Sequence, residues 1–318
     1  ERQPSSSSPQ LPQPRIASQP RSFSNRSDHD RLYLYTGIEP WQALRLELGL
    51  SWENFNDRLL NFKRQLNTFN PKLGLTWEPQ PGTTLRAATF RTLQRPMVTY
   101  QTIEPTQIAG FNQLFQDTTL DQARHVGLAF DQRFGSRLFL GAWHTRQRND
   151  TSSVTFNVDG ITTETLVVER KFDTERNQTT GYLYWAPIDS LALAAEYHRE
   201  TWEKFDPEPA FRVDTRTQRV PLTGSLFLRN GLSIVARATH VNQRLIPNPA
   251  KAPEVNDHNG FWNLDLGFYW RLQKRKGFLS INVLNLLDEQ FAYEDQDSNR
   301  PLFVPERTLA LRASLKFD

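Results

Sequence analysis

The side chains best suited to proton or metal chemistry are the carboxylates Asp131, Glu196 and Asp265 and the histidines His125, His144, His198 and His240. A carboxylate or imidazole acts as a general acid or base only with a partner in hydrogen-bond reach and a tuned pKa. The linear spacing brings no such pair together, and no two histidines recur at a metal-ligand interval. The chain has no cysteine, which removes thiolate nucleophiles, zinc–thiolate sites and disulfides together. Nucleophile-elbow, phosphate-loop and dinucleotide fingerprints do not occur. The chain is therefore expected to be no enzyme, with no catalytic residue, no metal site and no cofactor.

What positions these residues is a repeated strand pattern. From Arg31 onward, segments of about ten residues alternate apolar with polar, the period of a strand and not of a helix. In one, Trp262, Leu264, Leu266, Phe268 and Trp270 share a face opposite Asn263, Asp265, Gly267, Tyr269 and Arg271. In another, Leu44, Leu46, Leu48, Leu50 and Trp52 oppose Arg45, Glu47, Gly49, Ser51 and Glu53. Near the end, Leu309, Leu311, Ala313, Leu315 and Phe317 oppose Thr308, Ala310, Arg312, Ser314 and Lys316. Residues 137–145 are apolar on both faces and give no orientation. Residues 1–28, rich in Ser, Pro, Gln and Arg, read as a disordered linker or tail, and residues 29–318 as one domain.

A soluble sandwich would alternate too, but two features favour a transmembrane barrel. The apolar rows often end in aromatics (Trp52, Trp77, Trp262, Trp270, Phe317), as at a membrane interface. The opposite face is charged and polar, as in a wet lumen. No stretch approaches the ~18 apolar residues of a spanning helix. The 38 basic and 35 acidic residues are interspersed, so no nucleic-acid partner is implied.

Connections alternate in length. Short ones fall at 37–41, 78–82, 134–136, 186–190, 229–231 and 273–276; long polar ones fall at 55–68, 95–120, 205–212, 242–258 and 289–304. Short turns on the periplasmic rim and long loops outside are the layout of outer-membrane barrels. Residues 152–170 read as an extra hairpin beyond the membrane, turning at Asp159-Gly160. The expected fold is all-β: an antiparallel up-and-down transmembrane β-barrel with about 13–14 strands present. The scheme itself counts about thirteen, and bacterial barrels usually have an even number, so an incomplete fragment lacking at least one upstream strand is expected.

Several motifs carry a family resemblance. Asn282-Val283-Leu284-Asn285-Leu286-Leu287-Asp288, followed by Phe291 and Tyr293, resembles the "N-L-F-D-x-x-Y" signature near the end of TonB-dependent receptors, with Leu287 in place of Phe. Pro305-Glu306-Arg307, leading to a strand that ends in Phe317, is similar to that family's terminal barrel-assembly signal, although Asp318 follows the ring. Asn70–Trp77 and Thr84–Arg91 resemble its "P-K-x-G-x-x-W … L-R-A … F-R" strand pair. No counterpart of the family's plug or TonB box is present. The resemblance implies the C-terminal part of a receptor barrel that takes up a scarce solute in the bacterial outer membrane. Its implied partners are outer-membrane lipid, the barrel-assembly machinery acting on Leu315 and Phe317, and TonB only where a plug stands upstream.

The candidate site residues follow. Arg45, Glu47, Arg86, Asp131, Glu196, Arg237, Asp265 and Arg312 face the expected lumen, where charge sets what passes. Residues 103–115 are more apolar than a solvent loop should be, and they also resemble a segment of large barrels that carry tetratricopeptide repeats. Phe111, Asn112 and Phe115 are candidates for a lumen constriction or ligand contact; the plainer reading is an outer loop packed on its neighbours. Two rival functions remain open. One is a porin- or export-type barrel attached to a periplasmic tetratricopeptide-repeat domain; the other is an adhesive barrel whose loops bind a partner.

Overall fold

When apolar and polar side chains alternate on neighbouring antiparallel strands in register, one sheet face becomes continuous grease and the other continuous polarity. The computed structural model builds such a sheet. It describes residues 25–59, 62–95, 102–115, 120–158, 165–205, 213–247, 257–272, 276–291, 293, 302–304 and 306–315. The strands are β1 (Asn25–Trp41), β2 (Leu44–Leu59), β3 (Phe62–Gln80), β4 (Thr83–Gln94), β5 (Gln107–Ile108), β6 (Phe111–Asn112), β7 (Asp121–Phe134) and β8 (Leu138–Val158). There follow β9 (Thr165–Ile188), β10 (Leu191–Phe205), β11 (Val213–Phe227), β12 (Leu232–Pro247), β13 (Asp257–Arg271), β14 (Gly277–Leu284) and β15 (Thr308–Leu315).

Thirteen of these form one up-and-down antiparallel sheet, β1 to β4 and then β7 to β15 in chain order, while β5 and β6 form a separate hairpin. The expected count of crossing strands is therefore met. Among the described residues β1 and β15 each pair on one side only, so the sheet is open.

Cross-strand partners share a face, and the register fixes which. Leu266 lies beside Ala236 and Val283, and Phe268 beside Ile234 and Ile281. Val283 and Ile281 continue to Leu309 and Leu311. On the other flank Leu48 and Leu50 lie beside Leu73 and Pro71. This face is exposed despite its chemistry: Leu34 and Leu311 are each 70% accessible, and Trp52, Trp77, Trp262 and Trp270 are also exposed. So large an apolar surface is stable only against a non-aqueous medium. From Trp262 to Trp270, at about 3.3 Å per residue, the strand runs about 26 Å, close to the ~25 Å height of a membrane barrel's apolar band before tilt.

Register also orients the segment the pattern leaves ambiguous. Leu138, Leu140 and Ala142 lie level with Trp185, Leu183 and Gly181 on the apolar side, so Phe139, Gly141 and Trp143 face the polar side. Other boundaries move. Strand β1 begins at Asn25, inside the stretch assigned to the tail, because Asn25 to Asp30 pair with Leu59 to Asn54. Residues 55–68 are mostly strand and not loop, with β2 and β3 paired as far as Leu59 and Phe62. The first short turn is Gln42-Ala43, just past the expected 37–41. Residues 152–158 and 165–170 pair as the expected hairpin, and they do so as a direct continuation of β8 and β9. The expected turn Asp159-Gly160, and Phe317, lie outside the described residues.

Candidate functional site

The buried centre of the molecule lies on the polar face, where residues 102–115 fold back onto β1–β4, β7 and β8. The base of this segment is closed by the Arg95 amide, which donates to Phe115 O at 2.9 Å. Its tip is the β5–β6 hairpin, turned by Ala109 and Gly110 at φ 47° and 81°. Two consecutive positive φ angles make a two-residue hairpin turn, which is why glycine follows a small residue there.

The tip packs by shape. Ile108, Ala109 and Phe111 form a buried cluster with Ala88, Phe90 and Ala129, flanked by Tyr35 and Trp143. Room for it comes from two wall glycines. A Cβ on Gly74 would stand 2.7 Å from Ile108 Cγ2, and one on Gly127 would stand 2.6 Å from the Phe111 ring. Isolated glycines inside strands often mark such close approaches. The Ala109 amide donates to Glu47 Oε2 at 2.8 Å, which fixes the turn to the wall.

Charge holds the base. Glu104, 3% accessible, pairs with Arg31 at 2.8 Å and accepts from the Tyr35 hydroxyl at 2.5 Å. Beneath it Glu53, fully buried, meets Arg95 at 3.1 Å, His29 at 3.0 Å and Asn70 at 3.4 Å. Lys72 donates to Arg91 O at 2.9 Å and lies over the rings of Tyr35 and Phe115. The buried Arg95 and Lys72 and the partly buried Arg31 thus gather around two buried carboxylates, each charge with a polar partner, as buried charges require.

Beside the tip opens a cleft of about 450 Å³, bounded by Phe111, Asn112, His125, Trp143, Arg86 and Arg176. His125 stacks on Phe90 at 4.6 Å, and its Nε2 has no hydrogen-bond partner among the described residues. Arg86 pairs with Asp131 at 2.8 Å and lies over the Phe111 ring at 5.8 Å, while the Tyr182 hydroxyl donates to the same carboxylate. The cleft therefore combines aromatic surface with a fixed guanidinium and unfilled polar valence, a ligand-contact composition.

The other candidates are scattered along the polar face. Arg45 reaches Glu47 at 3.5 Å. Glu196 pairs with His198 at 2.8 Å and accepts from Tyr184 at 3.0 Å. Arg237 is the register partner of Asp265. Its Nε nevertheless donates to Thr223 at 3.2 Å. Asp265 accepts from Asn263 and from the Asn285 amide. Arg312 lies over Phe278. Of the sequence candidates, the structure brings together Glu47, Arg86, Asp131, Phe111, Asn112 and Phe115 around the docked segment. Arg31, Tyr35, Glu53, Lys72, Arg95 and Glu104 were not among them; the glycines at polar-face positions 74 and 127 were the available signal.

The terminal motifs gain a physical account. Asn285, fully buried at φ 49°, donates from its side chain to Glu289 O and Val304 O and accepts from the Glu289 amide. Asp288 accepts from the Arg307 amide at 2.9 Å and faces its guanidinium at 3.6 Å. Phe291, Tyr293 and Phe303 gather on Phe261. The asparagine–aspartate motif and the later arginine are two ends of one clasp between β14 and β15. Leu315, beside Gly277, lies exposed on the apolar face.

Comparison with known proteins agrees with this architecture. The family model described as "TonB dependent receptor-like, beta-barrel" matches residues 2–286. A search of curated proteins finds no match. Among solved structures, the FrpB iron transporter of Neisseria meningitidis superposes with a TM-score of 0.67 at 15% identity, over 91% of this chain and 45% of its own. The ferric-catecholate import receptor Fiu of Escherichia coli K12 gives 0.62 at 14%, over 92% and 45%. The ferripyoverdine receptor of the Pseudomonas aeruginosa outer membrane gives 0.57 at 13%, over 86% and 36%. The chain thus spans less than half the length of these receptors, and at such identities the likeness concerns the fold. With its apolar face turned to lipid and its polar face inward, the chain is a bacterial outer-membrane protein that belongs to the TonB-dependent receptor-like β-barrel family.

Proposed function

We propose that this chain is part of the wall of an uptake barrel for a scarce solute, and that the cleft beside the hairpin touches that solute in transit. The observation that carries this is the docking of residues 102–115 on the inner wall by buried ion pairs and a glycine-floored tip. The segment narrows the passage and presents aromatic and cationic groups to it, as a binding barrel requires. The structural relatives named as an iron transporter, a ferric-catecholate import receptor and a ferripyoverdine receptor point the same way. TonB is then the energising partner, acting through a plug domain elsewhere in the complete protein.

Conductance in planar bilayers tests this on the complete outer-membrane protein that contains the chain. The expected trace is closed, and deletion of residues 103–114 raises the conductance. A stable ohmic pore in the unaltered protein overturns the uptake reading in favour of a porin.

A further inference from the structure

The outward face changes character toward the long-loop rim. On β4 the row Leu85, Ala87, Thr89 ends in Arg91; on β7 the row Phe130, Leu128, Val126 ends in Arg124. On β8 it passes from His144 to Arg146 and Arg148. Register sets Arg91 directly beside Arg124, and Arg124 directly beside Arg148, so three arginines stand in line across three adjacent strands. Like charges directly opposed across strands repel. The carboxylates that answer them are displaced to one side. Arg148 meets Asp173 at 2.6 Å, Arg146 meets Glu175 at 2.7 Å, and Arg124 meets Asp150 only at 3.5 Å. Arg91 is exposed and makes no ion pair among the described residues.

This corner is local. At the same rim β2 and β13 present Trp52 and Trp262 outward instead. A cationic corner one step beyond Val126 and Leu128 sits at the level of lipid headgroups, on the side of the long loops that face outward in such barrels. Guanidinium groups recognise phosphate by paired, charge-assisted hydrogen bonds. We propose that Arg91 and Arg124, supported by Arg148, bind the phosphate of a glycolipid headgroup in the outer leaflet, on the lipid-facing side of the barrel. Bound phosphate would relieve the repulsion that the register imposes, and Asp150 competes with it for Arg124.

The test uses the complete outer-membrane protein, purified in detergent and titrated with diphosphoryl lipid A by native mass spectrometry. Heat-modified gel mobility confirms that each variant is folded. Arg91→Ser with Arg124→Ser should bind roughly twenty-five-fold more weakly, two cations near an anionic surface each contributing about fivefold. Arg91→Lys with Arg124→Lys should keep most of the affinity, and Asp150→Asn should raise it about twofold by freeing Arg124. Arg45→Ser, on the inner face, should leave it unchanged. Equal affinity in the double serine variant, or equal binding of dephosphorylated lipid A by the unaltered protein, overturns the proposal. Displacement of the lipid by millimolar inorganic phosphate alone would also overturn it, by showing a free-anion site.

Discussion

On β1 to β8 the polar face lies under the docked segment 102–115, while on β10 to β12 no described segment covers it. The same residue types behave differently on the two walls. Under the segment, Glu53 and Glu104 have no measurable side-chain exposure, and their cations are nearly as buried. On the bare wall, Glu196 and His198 keep about a quarter of their surface in solvent. The difference teaches what a polar-face charge can do: on the bare wall it stays partly in solvent, and under the segment it clamps a second layer of protein in place. Gly74 and Gly127 are floor beneath Ile108 and Phe111, whereas Gly181, on the apolar face beside Ala142, has open space above it.

Removing one carboxylate from each wall should break the comparison most sharply. Glu104→Gln leaves Arg31 buried without its counter-charge, which costs about 3–5 kcal/mol. Glu196→Gln removes a half-solvated contact worth about 0–1 kcal/mol. Hydrogen exchange of amides 102–115 should accelerate strongly in the first variant and stay unchanged in the second. Equal exchange would mean that charge does not hold the segment.

Strand β13 allows a clean test of the two sheet faces. Leu266→Arg places a cation on the lipid side and should block insertion, at about 2–4 kcal/mol. Asp265→Asn, one residue away on the polar side, should insert normally, with loosening confined to the turn that begins at Asn285. Membrane fractionation distinguishes the outcomes.

A smaller effect is expected at the floor. Gly127→Ala forces its methyl against Phe111 and should cost about 1–3 kcal/mol of local docking. Gly181→Ala meets nothing nearer than 4.0 Å and should be silent. Exchange of the hairpin amides reads both.

The smallest effect lies outside the lipid band. The hydrogen bond from Arg146, first among several causes, holds the Glu175 carboxyl below its ordinary value. A depressed carboxyl contributes stability above its unfolded value and loses it as the pH falls through the folded one. Glu175→Gln should therefore melt slightly below the unaltered protein at neutral pH, and the gap should close as the pH falls through the folded carboxyl's value. A gap that persists in acid would assign the contribution to packing.

Strand identity and face were legible because a membrane wall exposes one side of every strand to lipid and the other to water. Leu264, Leu266 and Phe268 therefore carry the whole signal in their spacing. Strand length was not legible: beyond the bilayer both faces meet water, so residues such as Asn54 to Asn56 lose their alternation while remaining paired. The apolar character of residues 103–115 was visible, and it marked the segment as unlike a solvent loop. Where it docks was not, because Gly74, Arg86, Gly127 and Trp143 are far apart in the chain and converge only through strand pairing.

The sequence by itself determined an antiparallel sheet with one lipid face, its count of crossing strands and its family resemblance. All of these follow from local alternation and short motifs. The tertiary structure alone decided that Glu104 meets Arg31, that the tip of the segment rests on Gly74 and Gly127, and that Asp288 clasps Arg307. Register and a folded-back loop create such contacts, and no period along one strand encodes which residue of another will stand beside it.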